Sequence, residues 1–155
     1  GLRAGFAAVG AQAIGVIVRL RSYGGAPVPL PLQLAAAALW RDEAHVEANR
    51  CLYRARFDAA DRLLGDLPGY ASPPAGFFLW LDVTAQGGDE AATLRLWREA
   101  GVRVLPGSYL GRETAGSNPG AGYIRVALVA PIDEAERGLR AIRAVLGAPS
   151  TEERA

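Results

Sequence analysis

Lysine is absent from this sequence, in which lysine and arginine together number 17 and every one of them is arginine. A lysine amine is the usual side-chain partner of a carbonyl group in a Schiff base, so none of these 155 residues can supply one. Cysteine is nearly absent as well. A lone Cys51 argues against a disulfide framework and is compatible with a reducing cytoplasm.

Charge excess and long apolar runs are also missing. The formal net charge is +1, which gives nucleic acid or a membrane surface no electrostatic reason to bind. No apolar run approaches the roughly 18 residues of a membrane helix, and no N-terminal segment is typical of a secretion signal. The sequence contains neither a phosphate-binding glycine loop nor metal-ligand spacing. We therefore expect a soluble cytoplasmic protein without nucleic-acid, membrane or metal partners.

The first half of the chain is predicted to be mostly helical. Residues 1–10 have the apolar character of a strand, 11–23 are predicted to be a helix, and 24–33 form a loop rich in proline and glycine. One long helix is predicted from about residue 32 to 67, because apolar residues recur every seven positions along it. These residues are Leu32, Leu39, Val46, Tyr53, Ala60 and Leu67.

The second half alternates strands with helices. The apolar run 77–83 predicts a strand covered on both faces, and Asp89 is expected to cap a helix that Gly101 ends. A short strand over 102–106 and a long irregular stretch over 107–122 follow. A strand over 122–129 then leads to an amphipathic helix over 131–147, whose expected inward residues are Ile132, Leu139, Ile142 and Leu146. This order predicts an α/β or α+β sheet with helices packed on it.

One charged residue stands in the middle of the last predicted strand, "GYIRVALV". Alternation places Ile124 and Val126 on one face and Arg125 on the other. Burying an unpaired guanidinium is costly, so Arg125 needs an anion or water. An internal carboxylate such as Asp82, which could instead cap a turn, is one possible partner, and solvent is another. The remaining alternative is the carboxylate of a ligand.

The segment around that strand resembles the C-terminal part of the class I/II pyridoxal-phosphate aminotransferases, the fold-type-I group. In "VRVLPGSYLG" a strand ends in the turn Pro106, Gly107 and Ser108, and Gly111 follows shortly after. A loop then leads to the strand of Arg125. The resemblance implies that Arg125 binds the α-carboxylate of the substrate, which suits the bidentate fork of a guanidinium.

The beginning of the chain extends the resemblance. "GLRAGF" is similar to the segment that follows the family's catalytic lysine, and Arg3 matches the arginine that binds the cofactor phosphate. The stretches "SYGGAPVPLPLQ" and "RDEAHVEANRCLYRARFD" look most like succinyldiaminopimelate aminotransferases. In such enzymes the loop with Tyr23, Gly24 and Gly25 would lie near the active site or the dimer interface. The family's lysine has no counterpart among these residues.

The resemblance implies a fold and a division of the chain. The fold class is α/β with an α+β small domain, the C-terminal portion of a fold-type-I transferase, with a long interdomain helix and a small mixed sheet covered by helices. Residues 1–30 would be the edge of the large cofactor-binding domain and 31–67 the interdomain helix. Residues 68–147 would form the small domain, and 148–155 a frayed tail.

The resemblance also implies a function. The complete enzyme would be a homodimer that uses pyridoxal 5'-phosphate to transfer an amino group between an amino acid, with N-succinyl-diaminopimelate as a candidate type, and a 2-oxo acid. Without a lysine, this chain alone is predicted to be inactive. The alternative is a non-enzymatic truncated domain that binds a carboxylate or a partner chain.

Overall fold

A computed structural model of the chain describes residues 3–25 and 27–147. The chain divides into two compact units, Gly1–Ala48 and Asn49–Ala155, which are described separately. Its helices are α1 (Ala11–Gly24), α2 (Leu30–Arg41), α3 (Ala44–Leu64), α4 (Asp89–Ala100) and α5 (Ile132–Leu146). Its strands are β1 (Phe78–Asp82), β2 (Leu105–Pro106) and β3 (Tyr123–Ala127). The expected tail 148–155 lies outside the described residues.

The strand predicted at the start of the chain is wrong. Residues 3–10 have no regular secondary structure and lead directly into α1. A strand requires a neighbour that takes up its backbone hydrogen bonds, and the described part of this unit contains no strand. The helix predicted over 11–23 is confirmed.

The long helix predicted from residue 32 is two helices, α2 and α3, separated at Asp42 and Glu43. Asp42 adopts an extended backbone conformation, and its carboxylate accepts a hydrogen bond from the backbone N–H of Ala44 at 3.0 Å. An aspartate that bonds to the backbone two residues onward offers an alternative to helical hydrogen bonding. The seven-residue recurrence did not reveal this interruption because it continues in phase across the break.

The second unit is built on a three-stranded sheet in the order β1-β3-β2. Both neighbouring pairs are antiparallel, so the described sheet is not mixed. In the register, Trp80 of β1 and Leu105 of β2 both lie opposite Arg125 of β3. The central strand therefore carries the arginine, with a large apolar residue beside it on each neighbour.

One face of this sheet forms the core. Leu79, Leu81, Ile124, Val126 and Leu128 are buried there together with residues of α3, α4 and α5. The opposite face is open among the described residues of the unit, and Trp80 keeps 40% of its surface exposed. The prediction that β1 is covered on both faces is therefore wrong, because an apolar run alone does not distinguish a covered face from an aromatic, partly open one.

Helices α4 and α5 match their predicted positions. Gly101 ends α4 in the left-handed conformation, with a φ angle of 65°, and its N–H bonds back to Leu96 and Trp97. On α5, Leu139, Ile142 and Leu146 are buried as predicted, whereas Ile132 is 43% exposed. Ile132 is the first residue of the helix, ahead of the turns that contact the core.

An ion pair holds α5 to the end of α3. The guanidinium of Arg143 donates two hydrogen bonds to the carboxylate of Asp66 and a third, at 3.0 Å, to the carbonyl of Leu63. The hydrogen bond from Arg143 is the main cause that lowers the pKa of Asp66 from 3.8 to about 2.

We expect this pair to make stability depend on pH in acid. Because the pKa of Asp66 is lowered in the folded state, its contribution is present above pH 3.8 and is lost as the pH falls towards 2. In urea titrations, Asp66→Asn should unfold more easily than the wild type at pH 6, and most of this difference should be lost by pH 2. Asp58→Asn, which removes an exposed α3 carboxylate, is the control. A difference that stays constant over this range would contradict the assignment.

No helix in the described part of the chain is both long and apolar enough to cross a membrane.

Candidate functional site

Arg125 lies at the centre of β3, on the open face of the sheet. Its side chain is partly buried, while the neighbouring residues Ile124 and Val126 point into the core. The alternation predicted for this strand is therefore confirmed. The ζ carbon of Arg125 lies over the ring of Phe78, 4.2 Å from the ring centroid.

No carboxylate among the described residues of this unit, 49–147, pairs with Arg125. Asp82, the candidate internal partner, instead accepts the backbone N–H of Thr84 at 2.9 Å. The hydrogen bond from the backbone of Thr84 is the main cause that lowers the pKa of Asp82. Asp82 therefore caps a turn, and the guanidinium of Arg125 keeps its N–H donors available for an anion or for water.

The Pro-Gly-Ser turn packs directly beside the start of β3. Pro106 pairs with Ile124, and a short 3-10 helix, Gly107–Tyr109, begins immediately afterwards. A Cβ at Gly107 would lie 2.2 Å from the carbonyl oxygen of Gly120, and a Cβ at Gly120 would lie 2.0 Å from the carbonyl oxygen of Gly107. The two backbones touch, and only glycine permits this approach.

Asp89 connects the Pro-Gly-Ser turn to the residue just before β3. Sequence reasoning assigned it to the cap of α4, but Gly88 occupies the N-cap position and Asp89 is the first helical residue. The buried carboxylate of Asp89 accepts the backbone N–H of Ser108 at 2.8 Å and that of Gly122 at 3.4 Å. No local signal indicates these contacts, because they span 19 and 33 residues.

The pKa of Asp89 reflects two opposed influences. Burial is the larger single one and raises it, since a carboxylate loses its hydration. The hydrogen bonds from Ser108, the N-terminal backbone of α4 and Gly122 together outweigh burial and bring the pKa below its ordinary value. Asp89 is therefore a carboxylate at neutral pH, and it holds both ends of the stretch 107–122.

Asn118 secures the interior of that stretch and was also missed from the sequence. Its side-chain amide donates to the carbonyl of Ser108 at 2.8 Å, and its oxygen accepts the N–H of Gly120 at 2.9 Å. The irregular stretch is therefore an ordered loop: Asn118 ties its interior to the turn at Ser108, and Asp89 binds Ser108 near one end and Gly122 at the other.

Arg3 lies in the other unit, beside a cavity of about 820 Å³. Phe6 and Trp40 form part of the wall, with their rings edge to face and their centroids 5.0 Å apart. The lining residues are mostly apolar, with two arginines and one amide: Arg3, Ala4, Gly5, Phe6, Ala7, Ile17, Arg21, Pro27, Val28, Gln33, Ala36 and Trp40. The arrangement can accept an apolar group that carries an anionic end near Arg3.

Tyr23, Gly24 and Gly25 belong to the end of α1. Tyr23 and Gly24 form its last turn, and Gly25 follows in an extended conformation. Tyr23 is 91% exposed and, with Gly24, borders a shallow apolar groove that also contains Val16 and Leu20. Neither residue lines the cavity beside Arg3.

Comparison with known proteins gives a consistent relationship. The family model for aminotransferase class I and II matches residues 1–142. An LL-diaminopimelate aminotransferase of Desulforudis audaxviator is 32% identical over 149 residues, which cover 95% of this chain and 36% of that protein. The chain spans about a third of the length of the curated relatives it matches.

Solved structures show the same relationship to aminotransferases. An aminotransferase from Neisseria meningitidis superposes with a TM-score of 0.83 at 37% identity, over 94% of this chain and 37% of that chain. A probable N-succinyldiaminopimelate aminotransferase from Thermus thermophilus superposes with a TM-score of 0.69 at 26% identity, over 86% of this chain and 35% of that chain. The resemblance and the fold class predicted from the sequence are confirmed, and this chain belongs to the class I and II aminotransferases.

Proposed function

We propose that the protein takes part in transamination between an amino acid and a 2-oxo acid, and that Arg125 binds the substrate's α-carboxylate. The observation that supports this role most directly is the environment of the Arg125 side chain. It is a partly buried arginine on the open face of the sheet, and no carboxylate of the described residues 49–147 pairs with it. A carboxylate ligand would satisfy both its charge and its forked donors.

Partial burial makes such an anchor effective. Removal of water from a guanidinium and a carboxylate strengthens their attraction, and two parallel N–H···O bonds orient the ligand. The same carboxylate is present on the amino acid and on the 2-oxo acid. One arginine can therefore hold both substrates in the same orientation, as amino-group transfer in each direction requires.

Pyridoxal phosphate is the cofactor that the family supports, and these residues fit one end of it. The arginine beside the cavity, Arg3, is suited to the phosphate, since a guanidinium pairs bidentately with phosphate oxygens. When bound, the cofactor supplies the electron sink for the reaction. The covalent attachment of the cofactor must come from outside these 155 residues, because they contain no lysine.

Each segment of the chain would then have its own role in the complete enzyme. Residues 1–30 would complete the cofactor-binding domain, residues 31–67 would connect it to the small domain, and residues 68–147 would present Arg125. The exposed end of α1, with Tyr23, Gly24 and Gly25, would face the second subunit of a homodimer. Alone, the 155 residues would not transaminate. The alternative, a non-enzymatic domain that binds a carboxylate, uses the same Arg125.

The likeness to diaminopimelate and N-succinyldiaminopimelate aminotransferases supports a substrate class. We propose an amino donor of the diaminopimelate type, which carries an α-carboxylate for Arg125 and a second polar end. A panel of amino acids that includes diaminopimelate and its N-succinyl derivative would identify the donor.

Replacement of Arg125 by alanine is expected to weaken substrate binding. Loss of one charge-assisted pair costs about 1.5–3 kcal/mol, a factor of roughly ten or more in the KM for both substrates. The assay uses the protein as isolated from its source cells, with steady-state kinetics on the best donor of the panel. Arg103→Ala is the matched control, since Arg103 also lies over an aromatic ring, that of Trp97, at 5.7 Å. An unchanged KM in Arg125→Ala would refute the proposed role.

The intact mass of the isolated protein separates the enzyme from the truncated domain. A mass well above 16.3 kDa, with a lysine shortly before Gly1, would fit an active transaminase. A mass of 16.3 kDa would fit the lysine-free alternative, which should bind carboxylates without transaminating them.

A further inference from the structure

Arg125 is held by an aromatic ring rather than by an acid. Its ζ carbon lies 4.2 Å from the centroid of the Phe78 ring. Arg125 and Phe78 are diagonal neighbours on β3 and β1, since Phe78 pairs with Ala127 and Trp80 pairs with Arg125. Long side chains reach one another across such a diagonal. The position of the guanidinium is thus set by a residue 47 positions earlier in the chain.

The chemistry of this contact differs from that of an ion pair. A carboxylate neighbour would occupy the forked N–H donors of Arg125 and cancel its charge. A phenyl ring attracts the positive charge through its quadrupole and needs no lone-pair acceptor. The ring therefore restrains the side chain while the donors stay available for a ligand.

Phe78 is itself well fixed. Its ring contacts that of Phe77, with centroids 4.1 Å apart and planes at 41°. The carbonyl of Phe77 accepts the N–H of Leu128 at 2.9 Å, which continues the pairing of β1 with β3. The ring of Phe77 in turn lies 5.9 Å from that of Tyr53 on α3. The series of ring contacts thus extends from the open face of the sheet to α3.

The far end of this series is also anchored. Arg56 lies over the Tyr53 ring at 5.2 Å and donates a hydrogen bond at 2.7 Å to the carbonyl of Ala130, just after β3. The ring contacts consequently connect Arg125, inside β3, with Ala130, three residues after that strand ends. The Phe78 ring does not need the ligand to hold it in place.

We infer that Phe78 is a positioning residue that pre-orients Arg125 for the substrate carboxylate, an inference that rests on the proposed function. An arginine side chain has many rotamers, and ordering them upon binding weakens affinity. Phe78 restricts these rotamers before the substrate arrives. Its contribution belongs to binding of the carboxylate, which both substrates share and which persists through the reaction, so it acts on KM and leaves kcat unchanged.

The test compares three replacements of Phe78 in the protein as isolated from its source cells. Phe78→Leu removes the π face and is expected to raise the KM of both substrates roughly 3- to 10-fold, with kcat unchanged. Phe78→Tyr and Phe78→Trp retain a π face and should restore the KM to within about twofold of the wild type. Trp97→Leu, which removes the ring under Arg103, is the matched control and should leave the KM unchanged.

A second readout does not depend on turnover. Succinate has carboxylates but neither an amino nor a keto group, and its dissociation constant can be measured by calorimetry. We expect Phe78→Leu to weaken succinate binding by the same factor as it raises the KM, and to leave the binding of succinamide unchanged. If Phe78→Leu does not fold, the dissociation constants of succinate in Phe78→Tyr, Phe78→Trp and the wild type still test the inference. A role in packing alone predicts that the bulkier Phe78→Trp variant binds succinate more weakly than the other two.

The outcomes separate this inference from the proposed function. Weaker succinate binding in Arg125→Ala but not in Phe78→Leu would overturn the positioning role and leave the role of Arg125 intact. Unchanged binding in both variants would overturn both. A lower kcat in Phe78→Leu, or losses of binding in the Tyr and Trp variants as large as that in Phe78→Leu or larger, would refute the inference.

Discussion

Gly107→Ala is expected to lose at least about 3 kcal/mol of unfolding free energy, the largest effect of any single methyl group that we predict. An added Cβ would lie 2.2 Å from the carbonyl oxygen of Gly120 and 2.6 Å from that of Tyr123. Both obstacles are backbone atoms in the ordered loop and at the start of β3, so no side-chain rotation relieves the overlap. Gly120→Ala should behave similarly, because its Cβ would lie 2.0 Å from the carbonyl oxygen of Gly107.

Chemical denaturation would measure this loss, with Gly138→Ala as the matched control. Gly138 lies inside α5, and apart from its chain neighbours and the backbone of its own helix no atom lies within 4 Å of its added Cβ. This variant should gain about 0.5–1 kcal/mol, because alanine favours the helix over glycine. Effects of opposite sign from the same chemical change would identify the close backbone contact as the cause. A Gly107→Ala protein within about 1 kcal/mol of the wild type would show that the loop can move away, in contradiction to the structure.

Asp89→Ala is expected to cost about 2–4 kcal/mol, since it leaves the backbone N–H groups of Ser108 and Gly122 without their acceptor. Asp89→Asn keeps one acceptor oxygen and should lose less. The pKa of Asp89 is lowered in the folded state, so this contribution is fully present above its ordinary value of 3.8 and declines as the pH falls below it.

The measurement is unfolding free energy at neutral pH, with Asp133→Ala as the control. Asp133 is the first-turn acid of α5, and its ion pair with Arg137 at 3.4 Å is exposed. Its removal should cost less than about 1 kcal/mol, the usual value of a first-turn charge or a surface pair. Equal losses in the two variants would mean that Asp89 stabilises only its own helix. The hydrogen bonds from Ser108 and Gly122 to Asp89 would then contribute nothing to the unfolding free energy.

The fold could be predicted where local pattern determines it. Helices α4 and α5 follow from periodicity and from the stop at Gly101, which needs a residue that accepts a positive φ angle, and α1 from its composition and the glycine pair at its end. The break between α2 and α3 was missed although Asp42 carried a local signal for it, because the apolar recurrence outweighed one capping side chain. The strand predicted for residues 1–10 failed for a different reason, since strand formation depends on a partner elsewhere in the chain.

The candidate site likewise combines features that could be predicted from the sequence with features that could not. The Pro106 to Ser108 turn and the alternation around Arg125 are local features, and they carried the resemblance to the aminotransferase family. Asp89 and Asn118, which hold the loop between them, could not be recognised, because a buried acid and an amide have many uses and their partners lie up to 33 residues away. The contact of Phe78 with Arg125 was equally hidden within an apolar run.

The sequence by itself therefore determined the family of this protein, its helices α1, α4 and α5, and the one arginine on its central strand. These features depend on side-chain spacing over a few residues, and the physics of helix and strand periodicity acts at that range. Tertiary structure decided which face of the sheet is open, which acid ties the loop to α4, and that a phenyl ring rather than a carboxylate accompanies Arg125. Those outcomes depend on packing between segments far apart in the chain, and the pairing of β1 with β3 brings them together.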